Sequence, residues 1–236
     1  MSDGPRNSAE TPAIRTFGRT GGRPLSPRQQ RLLEERMPEL AIPDEARQIT
    51  QVDTLFASGI ETFWLEIGFG GGEHVISQAA ANPQTGILAS EVFIEGLAKC
   101  VSGIEEGGLT NVRLWNEDAR LLIDRLPDAC LDRIFILFPD PWPKKKHHKR
   151  RIVQPEFLDA VCRVMKPSAR LRFATDVRSY ADEALEKFLA DDRFDWLACR
   201  ADDWRTPPED HYRTRYETKN LGDVKPVFYE FRLRTN

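Results

Sequence analysis

The chain has 236 residues, 40% hydrophobic and 30% charged, which is enough apolar material for one sizeable core. Its formal net charge is −3, yet residues 144–151 alone hold six Lys/Arg and no acid, so the rest of the chain sums to −9 and basicity is confined to one patch. No apolar run approaches the roughly 18 residues a membrane span needs. The four cysteines lie thirty or more residues apart, which excludes a disulfide scaffold and a paired zinc motif and predicts a soluble protein of the reducing cytoplasm.

Residues 1–25 are rich in Gly, Pro, Ser, Thr and Arg and read as a flexible basic N-terminal arm, leaving 26–236 as a single domain. Ser26 followed by Pro27 offers a helix start, and the helical pattern of "SPRQQRLLEE" is expected to end before Pro38. From Thr62 onward, apolar runs of strand length alternate with helix-length segments. The order is "TFWLEIG", a helix to about Asn82, "GILASEV", a helix to about Glu106, "NVRLWN", a helix to about Leu126, then "RIFILF". A helix near 155–165, "ARLRFAT", a helix near 177–190, "FDWLACR" and the alternating "PVFYEFRLR" complete the series. This predicts an α/β fold, Rossmann-like, with a mostly parallel seven-stranded sheet and an antiparallel C-terminal strand.

Chemistry-bearing residues fall at the carboxyl ends of the strands. The first strand runs into "EIGFGGGEH", where Glu66 precedes Gly68, Gly70, Gly71 and Gly72, a turn that lets a ligand approach the backbone. Glu73 stands where a dinucleotide fingerprint needs its third glycine, and a carboxylate there would repel a pyrophosphate. The run fits E-x-G-x-G-x-G better, the first motif of S-adenosylmethionine-dependent methyltransferases, whose ligand is cationic and free of phosphate. Glu91 ends the second strand, placed to accept from both hydroxyls of a ribose. Asp118 ends the third, where it either takes an adenine amine or caps the next helix. Asp140 follows the fourth inside "FPDPWPKKKHHKRRIV", in a loop stiffened by prolines. Trp142 either stacks on a base or packs beneath that loop. The cations after it look like a phosphate-binding strip, so a nucleic-acid substrate is expected; the adjacent His147 and His148 lack metal-ligand spacing. Asp176 ends the fifth strand as a rim carboxylate or a helix N-cap, and "TRYETK" at 214–219 either holds a base edge or closes a loop.

Together "EIGFGGGEH", "SEVFIEGL", "NEDA", "FPDPWPKKKHHKRRI", Thr175-Asp176 and "TRYETK" resemble the motif series of the tRNA (guanine-N7)-methyltransferases, the TrmB family, from about Ile14 to the C-terminus. The resemblance implies a class I methyltransferase that moves a methyl group from S-adenosyl-L-methionine to a guanosine in the tRNA variable loop. It implies cofactor contacts from Glu66, Gly68, Gly70, Glu91, Asp118 and Asp140, with Asp140 also catalytic. Lys144, Asp176, Thr214, Arg215, Tyr216 and Glu217 would contact the substrate, and Lys146, His147, His148, Lys149, Arg150 and Arg151 the RNA. No protein partner is specified, and a monomer or homodimer is expected. Thr20, Gly21 and Asn220 depart from the family pattern. Two rival readings are an exocyclic-amine methyltransferase, since "PDPW" distantly resembles a D-P-P-Y loop, and a non-enzymatic RNA-binding protein on the same scaffold.

Overall fold

The computed structural model describes residues 24–43 and 48–235, so the arm expected over 1–25 lies almost wholly outside the described residues. The strands are β1 (Thr62–Ile67), β2 (Thr85–Ser90), β3 (Val112–Trp115), β4 (Leu131–Leu137), β5 (Met165–Thr175), β6 (Phe194–Trp196) and β7 (Val227–Leu233). They form one seven-stranded sheet in the order β3-β2-β1-β4-β5-β7-β6. Pairing is parallel from β3 to β5, and only β7 runs against its neighbours. That is the α/β architecture the alternation of runs predicts. The chain leaves β1 toward β2 on one side and reaches β4 on the other, and a crevice opens at such a reversal, beyond the carboxyl ends of the strands.

Helices α1 (Pro27–Leu40), α2 (Glu73–Ala81) and α3 (Ile94–Gly107) pack on one face, where Leu40, Val75, Leu97 and Val101 meet Ile87, Ala89 and Leu114. Helices α4 (Ala119–Arg125), α5 (Pro155–Val164) and α6 (Arg178–Ala190) cover the other, burying Leu65, Ile134, Ile136, Leu171 and Phe173. Two short helices, α7 (Asp202–Arg205) and α8 (Arg215–Thr218), fall outside the expected series. Phe135, Leu137, Ala174 and Phe228 form a third, small cluster near Trp64. The segment before α8 closes over it: His211 packs edge-on to Phe228 at 4.7 Å, and Asp210 pairs with Arg133 and Arg172. Among the described residues no helix is long and apolar enough to cross a membrane.

One boundary differs from expectation. The first helix does not stop before Pro38 but carries it to Leu40. Pro38 lies in the last turn, which still closes through Ala41 N–H to the Met37 carbonyl at 2.8 Å, and Leu40 is buried against α3. The missing donor therefore costs only one intrahelical bond, which the apolar packing of the helix end offsets. The start is as expected: Ser26 and Gln29 cap reciprocally.

Candidate active site

After Ile67 the backbone passes through Gly68 (φ +72°), Gly70 (+58°) and Gly72 (+80°) before α2 begins. Gly72 is doubly constrained, since a Cβ there would also stand 2.6 Å from the Cys100 side chain on α3. Gly70 N–H donates to Glu91 Oε2 at 2.7 Å, while Glu91 Oε1 accepts from the N–H groups of Val92 and Phe93, each at 2.9 Å. One carboxylate thus ties the glycine loop to the turn after β2. Of its roughly four acceptor positions three are filled, leaving one for a ribose hydroxyl; a contact to both hydroxyls requires a backbone N–H to give way.

Beside this loop opens a cleft of about 670 Å³, lined by Gly68, Gly70, Glu91, Asp118 and Asp140 among others. Burial raises the pKa of Glu91; its three backbone hydrogen bonds oppose the rise and the charge of Asp140 adds to it. Asp140, although exposed at the mouth, is likewise raised by partial desolvation. Among the described residues neither carboxylate has an ion-pair partner. Two anions that feel one another and have no ion-pair partner suit a ligand carrying sulfonium and ammonium charges, and the volume suits a nucleoside-sized molecule. The residues present therefore fit S-adenosylmethionine. Asp118 adopts the second of its alternatives, capping α4 by accepting from Arg120 N–H at 3.0 Å while pairing with that guanidinium at 2.7 Å, and it also lines the cleft. Glu66 does not line the cleft. It is buried beneath the glycine loop, 2.6 Å from His74 Nδ1.

The Asp140 loop continues β4 by one bond, Phe138 N–H to the Ala174 carbonyl at 2.8 Å, and then turns sharply. Phe138 (φ +51°) and Trp142 (φ +42°) both occupy the left-handed region, one on each side of Pro139-Asp140-Pro141. Such conformations in bulky residues cost about 1–3 kcal/mol each and persist where packing over-determines them. Phe138 rests on Tyr216 and Phe228, and Trp142 lies under the Arg150 guanidinium at 4.9 Å and edge-on to His147. Asp176 is buried at the end of β5 and accepts from the Tyr216 hydroxyl at 3.3 Å; the N-cap of α6 is Val177, so the alternative of Asp176 as a cap is not adopted. Burial, then Asp176 and Asp140, push the Tyr216 phenol up to about 12, which keeps it a donor at neutral pH. Asp140, Asp176 and Tyr216 are thereby brought together.

The cationic run forms a 3₁₀ turn over Lys145–Arg150. Lys144, Lys145, Lys146 and Lys149 are exposed. One of the expected RNA contacts faces the other way and is corrected. Arg151 is fully buried, its guanidinium spent on Pro141, Ser179 and Glu183, so it has no surface to offer a phosphate. His148 is half-buried, with Nδ1 3.2 Å from Glu183, and keeps part of its ring at the surface. A second correction concerns Glu217, expected against the guanine. It is buried in a capping box with Thr214, and its carboxylate also takes His211 Nε2 at 2.9 Å. Its acceptors hold α8 in place. Arg215 is exposed at the start of α8, and Asn220, with φ +49°, occupies a conformation that Asn tolerates better than most residues.

Two histidines join the site without any mark in the sequence pattern. His74, on Glu66, and His211, on Glu217, lie with ring centroids 6.1 Å apart, and Gln78 bridges from His74 to the Asp210 carbonyl. A buried polar seam thus connects the cofactor side to the α8 side. The T-x-x-E pattern at Thr214–Glu217 was the available signal for the cap; nothing local marks the histidine pair.

Residues 61–229 match a family model described as "Putative methyltransferase". The chain is 59% identical over 221 residues to a tRNA (guanine-N(7)-)-methyltransferase of Hyphomonas neptunium, covering 94% of this chain and 100% of that protein. It is 51% identical to the protein of the same description from Caulobacter vibrioides, over 92% of this chain and 94% of the relative. Among solved structures it resembles the 16S rRNA methyltransferase KamB at 17% identity, with a TM-score of 0.56 over 79% of this chain and 96% of that one. At that identity the likeness is one of fold.

Proposed function

The chain belongs to the tRNA (guanine-N(7)-)-methyltransferase family, and from that premise we propose that it methylates N7 of a guanosine in the tRNA variable loop, using S-adenosyl-L-methionine, in the cytoplasm. The observation that carries this reading is the junction at Asp140, where a cleft lined by Glu91, Asp118 and Asp140 meets four exposed lysines within a few residues. Bound S-adenosylmethionine supplies an electrophilic methyl group on a positively charged sulfur. Glu91 would hold a ribose hydroxyl, Asp118 the adenine amine, and the backbone at Gly68 and Gly70 the close approach of the ligand. Glu66 supports this site from beneath, through His74.

Guanine N7 carries an in-plane lone pair and no proton, so its attack needs no general base. Asp140 is therefore not a proton acceptor from the nucleophile. During transfer positive charge leaves the cofactor and appears on the purine, and a carboxylate facing the purine stabilises that change. Asp176, with Tyr216 donating to it, would face the donor edge of the base at N1 and N2. Lys144 and the lysines after it would meet the backbone phosphates, and Thr214–Glu217 would present Arg215 and Tyr216 to the nucleoside. Incubation with labelled methyl donor and bulk tRNA, followed by nucleoside analysis, tests the reading. 7-Methylguanosine is expected. A methylated exocyclic amine or an absence of label would each replace it with one of the two rival functions.

A further inference from the structure

The most completely bonded side chain near the site belongs to a residue that the reaction does not touch. Arg151 closes the cationic run with a side chain of 0% relative exposure. Its Nε donates to the Pro141 carbonyl at 2.9 Å, one residue beyond Asp140. One terminal nitrogen donates to the Ser179 carbonyl at 2.9 Å and to Glu183 at 2.5 Å, the other to Ser179 Oγ at 2.9 Å. The guanidinium also lies 4.7 Å from the Tyr180 ring centroid. Ser179, Tyr180 and Glu183 all belong to α6, which starts two residues after Asp176.

We propose that Arg151 is a positioning residue for the transfer: it pins the Pro139–Trp142 loop to the first turns of α6, and so sets the placement of Asp140 relative to Asp176. The inference rests on the reading of Asp140 as the catalytic carboxylate. A loop strained at both ends relaxes unless something outside it holds it, and the Pro141 carbonyl is the point at which Arg151 does so. Arginine suits the task because its planar fork engages several acceptors on two elements at once, which a lysine cannot reproduce. Glu183 balances the buried charge, and Lys187 joins it at 2.6 Å. Arg151 shares the run with the RNA-facing lysines but acts on the opposite side of the turn.

The test compares Arg151→Gln, Arg151→Lys, Ser179→Ala, Asp140→Asn and the Asp140→Asn/Arg151→Gln double variant, assayed well below their unfolding temperatures. The readouts are kcat at saturating tRNA and donor, and tRNA affinity across a salt series. Arg151→Gln is expected to lower kcat by about 10- to 100-fold, the scale for displacing a catalytic group by about 1 Å, with Arg151→Lys and Ser179→Ala lower in the same direction. The salt slope should equal that of the wild type. The double variant should be no slower than Asp140→Asn alone, because a group that acts through Asp140 adds nothing once its charge is gone. Retention of kcat with a slope flattened by about 0.7–0.9 would assign Arg151 to a phosphate and overturn the proposal. Fully additive losses would reduce it to a structural role and overturn it equally. Should Arg151→Gln fail to fold, wild-type kcat in both Arg151→Lys and Ser179→Ala overturns it. Wild-type kcat in Asp140→Asn would instead sink the reading of Asp140, whatever the Arg151 variants do.

Discussion

Replacement of Lys144, Lys145, Lys146 and Lys149 together by glutamine measures how much of the tRNA affinity comes from the strip. The structure decides which cations matter. Arg151 is buried and makes four hydrogen bonds, and the Arg150 guanidinium lies on Trp142, so neither enters the sum. His147 has its pKa lowered, first by desolvation and then by Arg150, Lys146, Lys144 and Lys149, so it adds no charge at neutral pH. The four lysines are exposed, with no side-chain ion pair or hydrogen bond among the described residues. Removing one lysine that neutralises a phosphate flattens the dependence of log affinity on log salt by about 0.7–0.9, so removing all four should flatten it by about 2.8–3.6. Between about 50 and 200 mM salt the variant should therefore weaken about 50- to 150-fold less than the wild type does. Fluorescence titration of labelled tRNA over that salt range reads the slope. A flattening below about 1 would refute the reasoning and leave the run as a solvated face.

Four further outcomes are expected. Asp140→Asn should lower kcat by about 10²–10³ and retain tRNA binding, as for removal of one preorganised electrostatic group; because desolvation raises this carboxyl in the fold, removal of its charge should not lower Tm at pH 7, and a clear drop in Tm would contradict that. The kcat of the wild type should be flat from about pH 6 to 8, and a tenfold climb per pH unit that Asp140→Asn abolishes would mean a proton is removed after all. His211→Ala strips the buried Glu217 of a donor and should cost about 1–3 kcal/mol in denaturant unfolding, with His211→Gln recovering part of it; equal losses in both variants would mean the hydrogen bond is not the cause. Burial alone would raise Asp210, but Arg172 and Arg133 outweigh it and hold it at about 2, so its contribution is present above its ordinary value near 4 and lost as pH falls from about 4 toward 2. The Tm difference between wild type and Asp210→Asn should therefore be constant from pH 7 to about pH 5 and shrink below, and a difference undiminished near pH 2.5 would refute it.

What could be read from the sequence depended on distance along the chain. Strand and helix runs are local, so β1 to β5 and α2 to α6 were legible from periodicity, and with them the set of carboxylates at the strand ends. The partners of those carboxylates were not. Glu66 meets His74 eight residues on, but Gln78 reaches the Asp210 carbonyl across 132 residues, and no local pattern marks that pair. Arg151 illustrates the opposite case, since a signal was present and composition hid it. Arg151 and Val153 are both buried in the extended segment that follows the 3₁₀ turn, so a period of two points Arg151 inward with its apolar neighbour. Counting cations treated six residues as equivalent when the backbone had already separated them.

The same backbone answers why Asp140 is not neutralised by the lysines that follow it. Asp140 and Lys144 are four residues apart, and in a helix that spacing would pair them. Pro139, Pro141 and Pro143 forbid the helix: each lacks an N–H, and each disfavours the α conformation at the residue before it, which includes Asp140 and Trp142. The loop turns instead through left-handed Phe138 and Trp142, and Asp140 lines the cleft while Lys144 to Lys146 are exposed. An ion pair here would stabilise the resting protein, yet it would spend the carboxylate's field on a lysine before any charge developed on the purine. Catalysis gains only from interactions that strengthen in the transition state, so a proline-enforced separation of opposite charges, held by Arg151 and by the packing of Phe138 and Trp142, is the arrangement that leaves this field unspent.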